Sequence, residues 1–258
     1  MFRREFIALG LALPLAARSI SASTPATTWF PKEFDCPVCE TKNTYMVVGS
    51  YGSYIYSWPS KYQLIYWPVT VGNTFYLCKK CHLSVFMWDH DDLPKYKIPA
   101  MKKTLSGVTV EKKFEEYTEV PVFKRLEIVE KVYGHLDKDD AFWNFFYRIK
   151  GYHFQDVEDM ESASAARKKA LEIVTKMIAA KDDSVAAKEL WAISGAMKHF
   201  TMQDKAALED LNKAMTVKYD GPDLTEEEKS IGETNINSFL VDYINRINGA
   251  NPPRDSDQ

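Results

Sequence analysis

The sequence lacks the short motifs by which common enzyme classes are recognised. It contains no H-E-x-x-H metalloprotease motif, no G-x-S-x-G nucleophile motif and no glycine-rich loop of the kind that binds phosphate. The five histidines show no ligand-like spacing among themselves: they are His82, His90, His135, His153 and His199. Catalysis by carboxylates needs no such motif and stays open, but the sequence favours a protein that is not an enzyme.

A strong excess of charge of either sign is also missing. The chain has 33 basic and 36 acidic residues, so its net charge at neutral pH is −3. Proteins that bind nucleic acid or anionic membranes are usually basic, because the phosphate groups of these partners attract lysine and arginine. We therefore expect no nucleic-acid partner. With 45% hydrophobic residues, the chain has ample material for a buried core.

Apolar runs long enough to span a membrane are missing as well. The run that follows the basic residues Arg3 and Arg4 ends near Ala17 and is too short for a bilayer core of about 30 Å. It predicts a cleaved export signal over residues 1–23, and the paired arginines with Phe6 resemble a twin-arginine signal. An ordinary secretory signal or an uncleaved anchor are the alternatives. We expect a periplasmic or secreted protein without a stable membrane span after cleavage.

Cysteine is scarce, and the chain has only four. Four cysteines are too few for a disulfide scaffold of this length, but they fall into two pairs with two-residue gaps. Such a gap lets both thiolates of a pair face one metal ion, and four thiolates make a closed tetrahedral zinc site. The sequence therefore predicts a structural zinc ion held by Cys36, Cys39, Cys78 and Cys81.

Two other roles compete for these cysteines. The oxidising conditions outside the cell favour disulfides. Alternatively, Cys78-Lys-Lys-Cys81-His82 matches the C-x-x-C-H motif that attaches c-type haem, with His82 as axial ligand and Met87 or Met101 as its partner. Haem leaves the first pair without a role, and the motif lies between β-like runs instead of opening a helix. Zinc accounts for all four cysteines and leaves His82 without a ligand role.

Apolar runs typical of β-strands flank the cysteine pairs. Two hairpins that carry the pairs at their turns form a zinc ribbon, so we expect a small β-rich domain over residues 24–110. An aromatic stretch lies between the two pairs: Tyr51, Tyr54, Tyr56, Trp58, Tyr62, Tyr66 and Trp67. We expect these rings to pack in the core, although a ligand-binding role stays open.

From Pro121 onward the apolar residues recur at helical spacing and predict six helices. Gly134 ends the first helix, Asp139 or Asp140 caps the second, and Thr225 with Glu228 forms a capping box for the last. We expect an all-α domain over residues 111–248 and a disordered, polar tail over residues 249–258.

The fourth and fifth predicted helices resemble a tetratricopeptide repeat, whose small residues let two helices approach closely. The matching residues are Trp191, Gly195, Ala207, Leu211 and Ala214. A second copy centres on Gly151 and Phe154, 44 residues earlier. An ordinary helical bundle explains the same pattern. The predicted fold class is therefore α+β, with a zinc ribbon followed by an antiparallel helical-repeat domain that binds a protein partner.

The Cys-Pro-x-Cys pair, the second Cys-x-x-Cys and the helical part together resemble the bacterial domain-of-unknown-function family 2225 over residues 34 to 245. That family usually has glycine after each pair, where this sequence has Glu40 and His82. The resemblance implies a zinc-ribbon head, a tetratricopeptide-like tail and no established activity. We expect an exported, non-enzymatic interaction protein; a c-type cytochrome-like electron-transfer protein or an uncharacterised enzyme are the alternatives.

Overall fold

The computed structural model describes residues 28–50, 60–220 and 224–249. In this part of the chain, four short strands form two antiparallel hairpins and seven α-helices follow them. The fold is therefore α+β, as the sequence predicted. The predicted export signal, nearly all of the predicted tail and the aromatic residues between positions 51 and 58 lie outside the described residues.

The two hairpins each carry one cysteine pair at their turn. Strands β1 (Thr28–Asp35) and β2 (Lys42–Ser50) pair around the first cysteines, and β3 (Phe75–Leu77) and β4 (Ser84–Phe86) pair around the second. Both ladders run up to the turn itself. The chain therefore holds each cysteine pair at the end of a hydrogen-bonded hairpin.

The helices begin and end close to the sequence signals. They are α1 (Ile98–Leu105), α2 (Val122–Tyr133), α3 (Asp140–Asp156), α4 (Met160–Ala180), α5 (Ala187–Phe200), α6 (Asp204–Thr216) and α7 (Glu226–Ile247). Gly134 ends α2, the Asp139 side chain caps α3, and Thr225 and Glu228 form the capping box of α7, so these three predictions are confirmed. No helix of the described residues combines the length and apolar character needed to cross a membrane.

The chain packs into two compact units. The cysteine unit contains both hairpins, α1 and α2, and ends at Lys138; the helical unit contains α3 to α7 together with residues 60–66. The sequence placed the boundary near residue 110 instead. The difference arises because α2 packs on β3 and β4. Helix α1 was not predicted, since only Met101 and Leu105 of its residues are buried and such a short stripe gives a weak signal.

Aromatic rings and one buried arginine form the centre of the cysteine unit. Tyr45 of β2 and Tyr76 of β3 stack with their ring centroids 4.1 Å apart, and Tyr117 packs edge-on against both. Arg125 of α2 is 2% exposed, and burial lowers its pKa to about 10, so it is charged at neutral pH. It donates hydrogen bonds of 2.6–2.9 Å to three carbonyls, those of Gly72, Phe75 and Val120.

Two helix hairpins of the helical unit have the same close approach. A β-carbon on Gly151 of α3 would lie 2.9 Å from the nearest atom of α4, and one on Gly195 of α5 would lie 2.7 Å from the nearest atom of α6. The residues they face are Ala163 and Arg167 in the first hairpin, and Ala207 and Leu211 in the second. Each residue of the first set lies 44 positions before its counterpart.

The turns of these two hairpins match as well. Glu158 and Met202 both adopt the left-handed conformation, with φ of 60° and 64°. In each turn the next amide donates to a carbonyl five residues before it, from Asp159 to Phe154 and from Gln203 to Lys198. These positions are again 44 residues apart. The hairpins α3–α4 and α5–α6 therefore share the geometry of their turns and of their closest helix contact.

The close helix approach predicts the effect of a larger residue at Gly195. Gly195→Val should lower the free energy of unfolding of the helical unit by about 2 kcal/mol, because its β-carbon would lie 2.7 Å from Leu211 and 3.1 Å from the carbonyl of Ala207. The control is Gly107→Val, whose β-carbon meets nothing nearer than 3.7 Å. Urea titrations followed by circular dichroism measure both. Equal stability of the two variants would show that α5 and α6 have room to separate.

Candidate metal centre

The four cysteine sulfurs lie together at the two hairpin turns. All four Sγ atoms lie within 4.8 Å of one another. Two contacts, Cys36 with Cys81 and Cys39 with Cys78, are both 3.6 Å and join one hairpin to the other. In a tetrahedral site with metal–sulfur bonds of about 2.3 Å, neighbouring sulfurs are about 3.8 Å apart. The predicted ligands are therefore brought together as a group that can hold one metal ion, and the donor set is consistent with zinc.

The four sulfurs are free thiols at this spacing. A disulfide needs a sulfur–sulfur distance of about 2.05 Å, well below the 3.6 Å of these two pairs, and all four cysteines are free. Hydrogen bonds from Cys36 and Cys81 lower the pKa of Cys78, whereas the bond to Cys78 and burial raise the pKa of Cys36 to about 12. A metal ion must displace the proton from Cys36, so its binding weakens as the pH falls.

The two cysteine turns share one backbone geometry. In each turn the first cysteine accepts a hydrogen bond from the amide four residues later and donates its own amide to the carbonyl five residues later. The donor–acceptor pairs are Glu40 to Cys36 and Cys36 to Thr41, and His82 to Cys78 and Cys78 to Leu83. Glu40 and His82 have φ of 61° and 59°, which is the left-handed region that favours glycine. A tight left-handed turn thus follows each pair.

These turns direct amide N–H groups at the sulfurs. The amide of Lys80 lies 3.5 Å from Cys78 Sγ, and the amide of Val38 donates to Cys36 in the corresponding position. Both hydrogen bonds lower the pKa of the thiol that accepts them. Such bonds stabilise the thiolate form of each cysteine, and the thiolate is the form that binds a cation.

Asn43 joins the two turns and was missed by the sequence analysis. Its Nδ2 donates to the Thr41 carbonyl at 2.8 Å and reaches Cys78 Sγ at 3.6 Å, while its Oδ1 accepts from the Lys79 amide at 2.9 Å. The side chain is only 4% exposed. The available signal was the alternation of β2, which places Asn43 on the same inward face as Tyr45, where a polar group needs partners.

One side of the sulfur cluster is open. Cys36 and Cys78 are buried, whereas Cys39 and Cys81 are half-buried and line a cavity of about 410 Å³. Lys80 and Lys102 line the same cavity. Four thiolates and one divalent ion carry a net charge of −2, so these two ammonium groups offset the charge of an occupied site.

His82, the axial ligand of the haem alternative, has another place in the structure. Its Nδ1 lies 3.4 Å from the Val108 carbonyl, and its ring packs against Phe114. The sulfurs of Cys78 and Cys81 each pair with a sulfur of the other hairpin, so attachment of both to one haem would separate these pairs. The geometry therefore favours one metal ion over haem.

The described part of the aromatic stretch is divided between the units. Tyr62 is buried in the helical unit, with its ring 4.6 Å from Tyr243 and 5.8 Å from Phe239. Trp67 belongs to the cysteine unit, where its ring lies 6.0 Å from Trp29. Core packing is therefore confirmed for Tyr62.

No protein-family model, curated protein or solved structure matches this chain. The resemblance to the domain-of-unknown-function family 2225 therefore stays a prediction. Function has to be inferred from the geometry of the residues themselves.

The strained turn predicts that glycine at position 82 strengthens the site. His82→Gly should stabilise the turn by about 1 kcal/mol, because glycine adopts positive φ without a steric penalty. His82→Ala keeps the strain and is the matched control, since both variants lack the imidazole. We expect both variants to retain the metal, and His82→Gly to release it more slowly to a chelator. Loss of the metal from both variants would identify His82 as a ligand.

Proposed function

We propose that this is an exported, non-enzymatic protein in which a structural zinc ion stabilises a zinc ribbon and a tetratricopeptide-like helical domain binds a protein partner. The observation that carries the proposal is the cluster of four sulfurs at two equivalent hairpin turns. Zinc bound to Cys36, Cys39, Cys78 and Cys81 has four protein ligands and no open position for a water molecule or a substrate. Its role is therefore to hold the two hairpins together.

The repeated hairpins support the interaction role. Helical repeats of this kind stack helix pairs and use the resulting surface to bind other proteins. The interval of 44 residues exceeds the usual length of about 34 in tetratricopeptide repeats. The long helices α3 and α4 account for the extra length in the first copy, while the contact at Gly195, Ala207 and Leu211 keeps the small-residue pattern of the motif.

Metal analysis tests the zinc site. Freshly purified protein should contain about one zinc ion per chain and show no haem absorption band, because four thiolates form one closed site. Zinc below half an equivalent in unoxidised protein would contradict the proposal, and a haem band would establish the cytochrome alternative.

Cys36→Ser tests what the metal stabilises. The binding energy of a structural zinc site, roughly 10–16 kcal/mol in small zinc peptides, is largely folding energy for the part that holds the ion. The variant should lose zinc and become sensitive to proteolysis in the cysteine unit, while most of the helical circular dichroism and a cooperative melt remain. Lys95→Ser, at an exposed position outside the cavity beside the sulfurs, is the control and should keep the metal. Loss of all helical signal in Cys36→Ser would show that the helical unit cannot fold alone.

Export is tested with a reporter fused to the first residues of the chain. Replacing Arg3 and Arg4 by lysine keeps the charge but blocks the twin-arginine route, so export of the reporter should stop. Unchanged export with cleavage near residue 23 would favour the general secretory route. A mature protein that retains its first residues would contradict cleavage.

A further inference from the structure

The helical unit holds a short segment that comes from far upstream in the sequence. Residues 60–66, which we call the inserted segment, precede α3 by more than seventy positions yet belong to the same compact unit. The segment forms one turn of 3₁₀-helix, Lys61–Gln63, and Leu64 then reverses the chain with φ of 51°. It is held by side chains of three helices.

Helix α3 holds the backbone of the inserted segment. The buried guanidinium of Arg148 donates from Nη1 to two consecutive carbonyls, those of Gln63 at 2.6 Å and Leu64 at 2.8 Å. Its Nε donates to Asn144 Oδ1 at 3.0 Å, and Asn144 is fixed in turn by the Ala170 carbonyl at 2.8 Å. Asn144 therefore fixes the orientation of the Arg148 guanidinium. The groups that this guanidinium binds in the segment are backbone carbonyls, which every peptide has.

Helix α4 binds the side chain of Gln63 through Arg167. This glutamine is 0% exposed, and its Oε1 accepts a hydrogen bond of 3.0 Å from Arg167 Nε. Arg167 is itself placed over the ring of Phe200 at 4.4 Å and donates to Gln155 Oε1 at 2.5 Å. An amide side chain at this position is thus recognised by a charged donor that is already positioned.

Helix α7 contacts the side chains of the two residues before Gln63. Asp242 accepts from the Lys61 ammonium at 2.8 Å and from the Tyr62 hydroxyl. The Tyr62 ring enters the space beside Phe239 and Tyr243. The side chains of three consecutive residues, Lys61, Tyr62 and Gln63, are therefore each contacted by a charged side chain of the helical unit.

The second helix hairpin shows that packing does not require the two arginines. The positions 44 residues after Arg148 and Arg167 are Ala192 and Leu211, and both are fully buried in the equivalent hairpin. A buried arginine loses hydration, and burial lowers the pKa of both arginines to about 10. The first hairpin carries these two charges at positions where the repeat accepts apolar residues, and both charges are directed at the inserted segment.

We infer that the helical unit is a peptide-binding site filled by the chain's own residues 60–66, and that a partner segment of the same chemistry binds there in place of them. That segment carries a basic residue, a tyrosine and a glutamine followed by an apolar residue. The inference rests on the proposed partner-binding function and names its site. A tethered occupant has an effective concentration in the millimolar range, so a free peptide competes only where the tethered segment is weakened.

The test uses the full chain and a synthetic peptide with the sequence of residues 60–66. Tyr62→Ala removes the ring of the tethered segment and leaves a ring-sized space that the tyrosine of the free peptide can fill. The peptide should raise the melting temperature of Tyr62→Ala by several degrees and leave that of the wild type unchanged. A peptide with alanine in place of its tyrosine and glutamine is the control and should have no effect.

Lys61→Ala is the second variant, because the Lys61 side chain is 32% exposed and its loss leaves the core intact. Fluorescence anisotropy should show the labelled peptide binding this variant at least about tenfold more tightly than the wild type. Failure of the peptide to bind either variant, with circular dichroism showing folded protein, would overturn the inference. The zinc content is measured on the same samples, so a failed peptide site is distinguished from a failed zinc ribbon.

Discussion

The arrangement of this protein depends on bringing two separate cysteine turns to one point. Each turn is short, left-handed at its last residue and stabilised by the same two backbone hydrogen bonds, so neither cysteine pair needs the other to adopt its local shape. The local shape of each turn does not bring the two cysteine pairs together. Asn43 connects them, because it contacts the Lys79 amide and Cys78 Sγ of the opposite turn. A bound ion would add four bonds at the same place.

The 38 residues between Cys39 and Cys78 are also constrained when the two cysteine turns meet. This stretch contains β2 and most of the aromatic residues near the cysteines, and its residues 60–66 belong to the helical unit. The ends of the stretch are fixed at the sulfur cluster, while Arg148, Arg167 and Asp242 hold residues 61 to 64. Each of these contacts removes conformational freedom that a loop of this length otherwise has.

Local chemistry decided which features could be predicted from the sequence. The hairpin turns at the cysteine pairs, the Asp139 cap and the capping box at Thr225 were predicted correctly, because spacing over a few residues determines them. Asn43 and Arg148 were missed, since their partners lie on other elements and a buried arginine on a helix looks like an exposed one in the sequence. The packing of α2 on β3 and β4 was also not predicted. Tertiary contacts of this kind have no short-range pattern.

The buried arginines show how a chain with so much irregular backbone satisfies its polar groups. Buried carbonyls need hydrogen-bond donors, and side chains supply them in short segments and at the ends of strands. Arg125 supplies them to Gly72 and Phe75 in the cysteine unit, and Arg148 supplies them to Gln63 and Leu64 in the helical unit. Burial lowers the pKa of both arginines only to about 10, so both remain charged at neutral pH. Each unit therefore uses a buried arginine on a helix to hold backbone carbonyls of a short segment, which ties the conformation of that segment to the position of the helix.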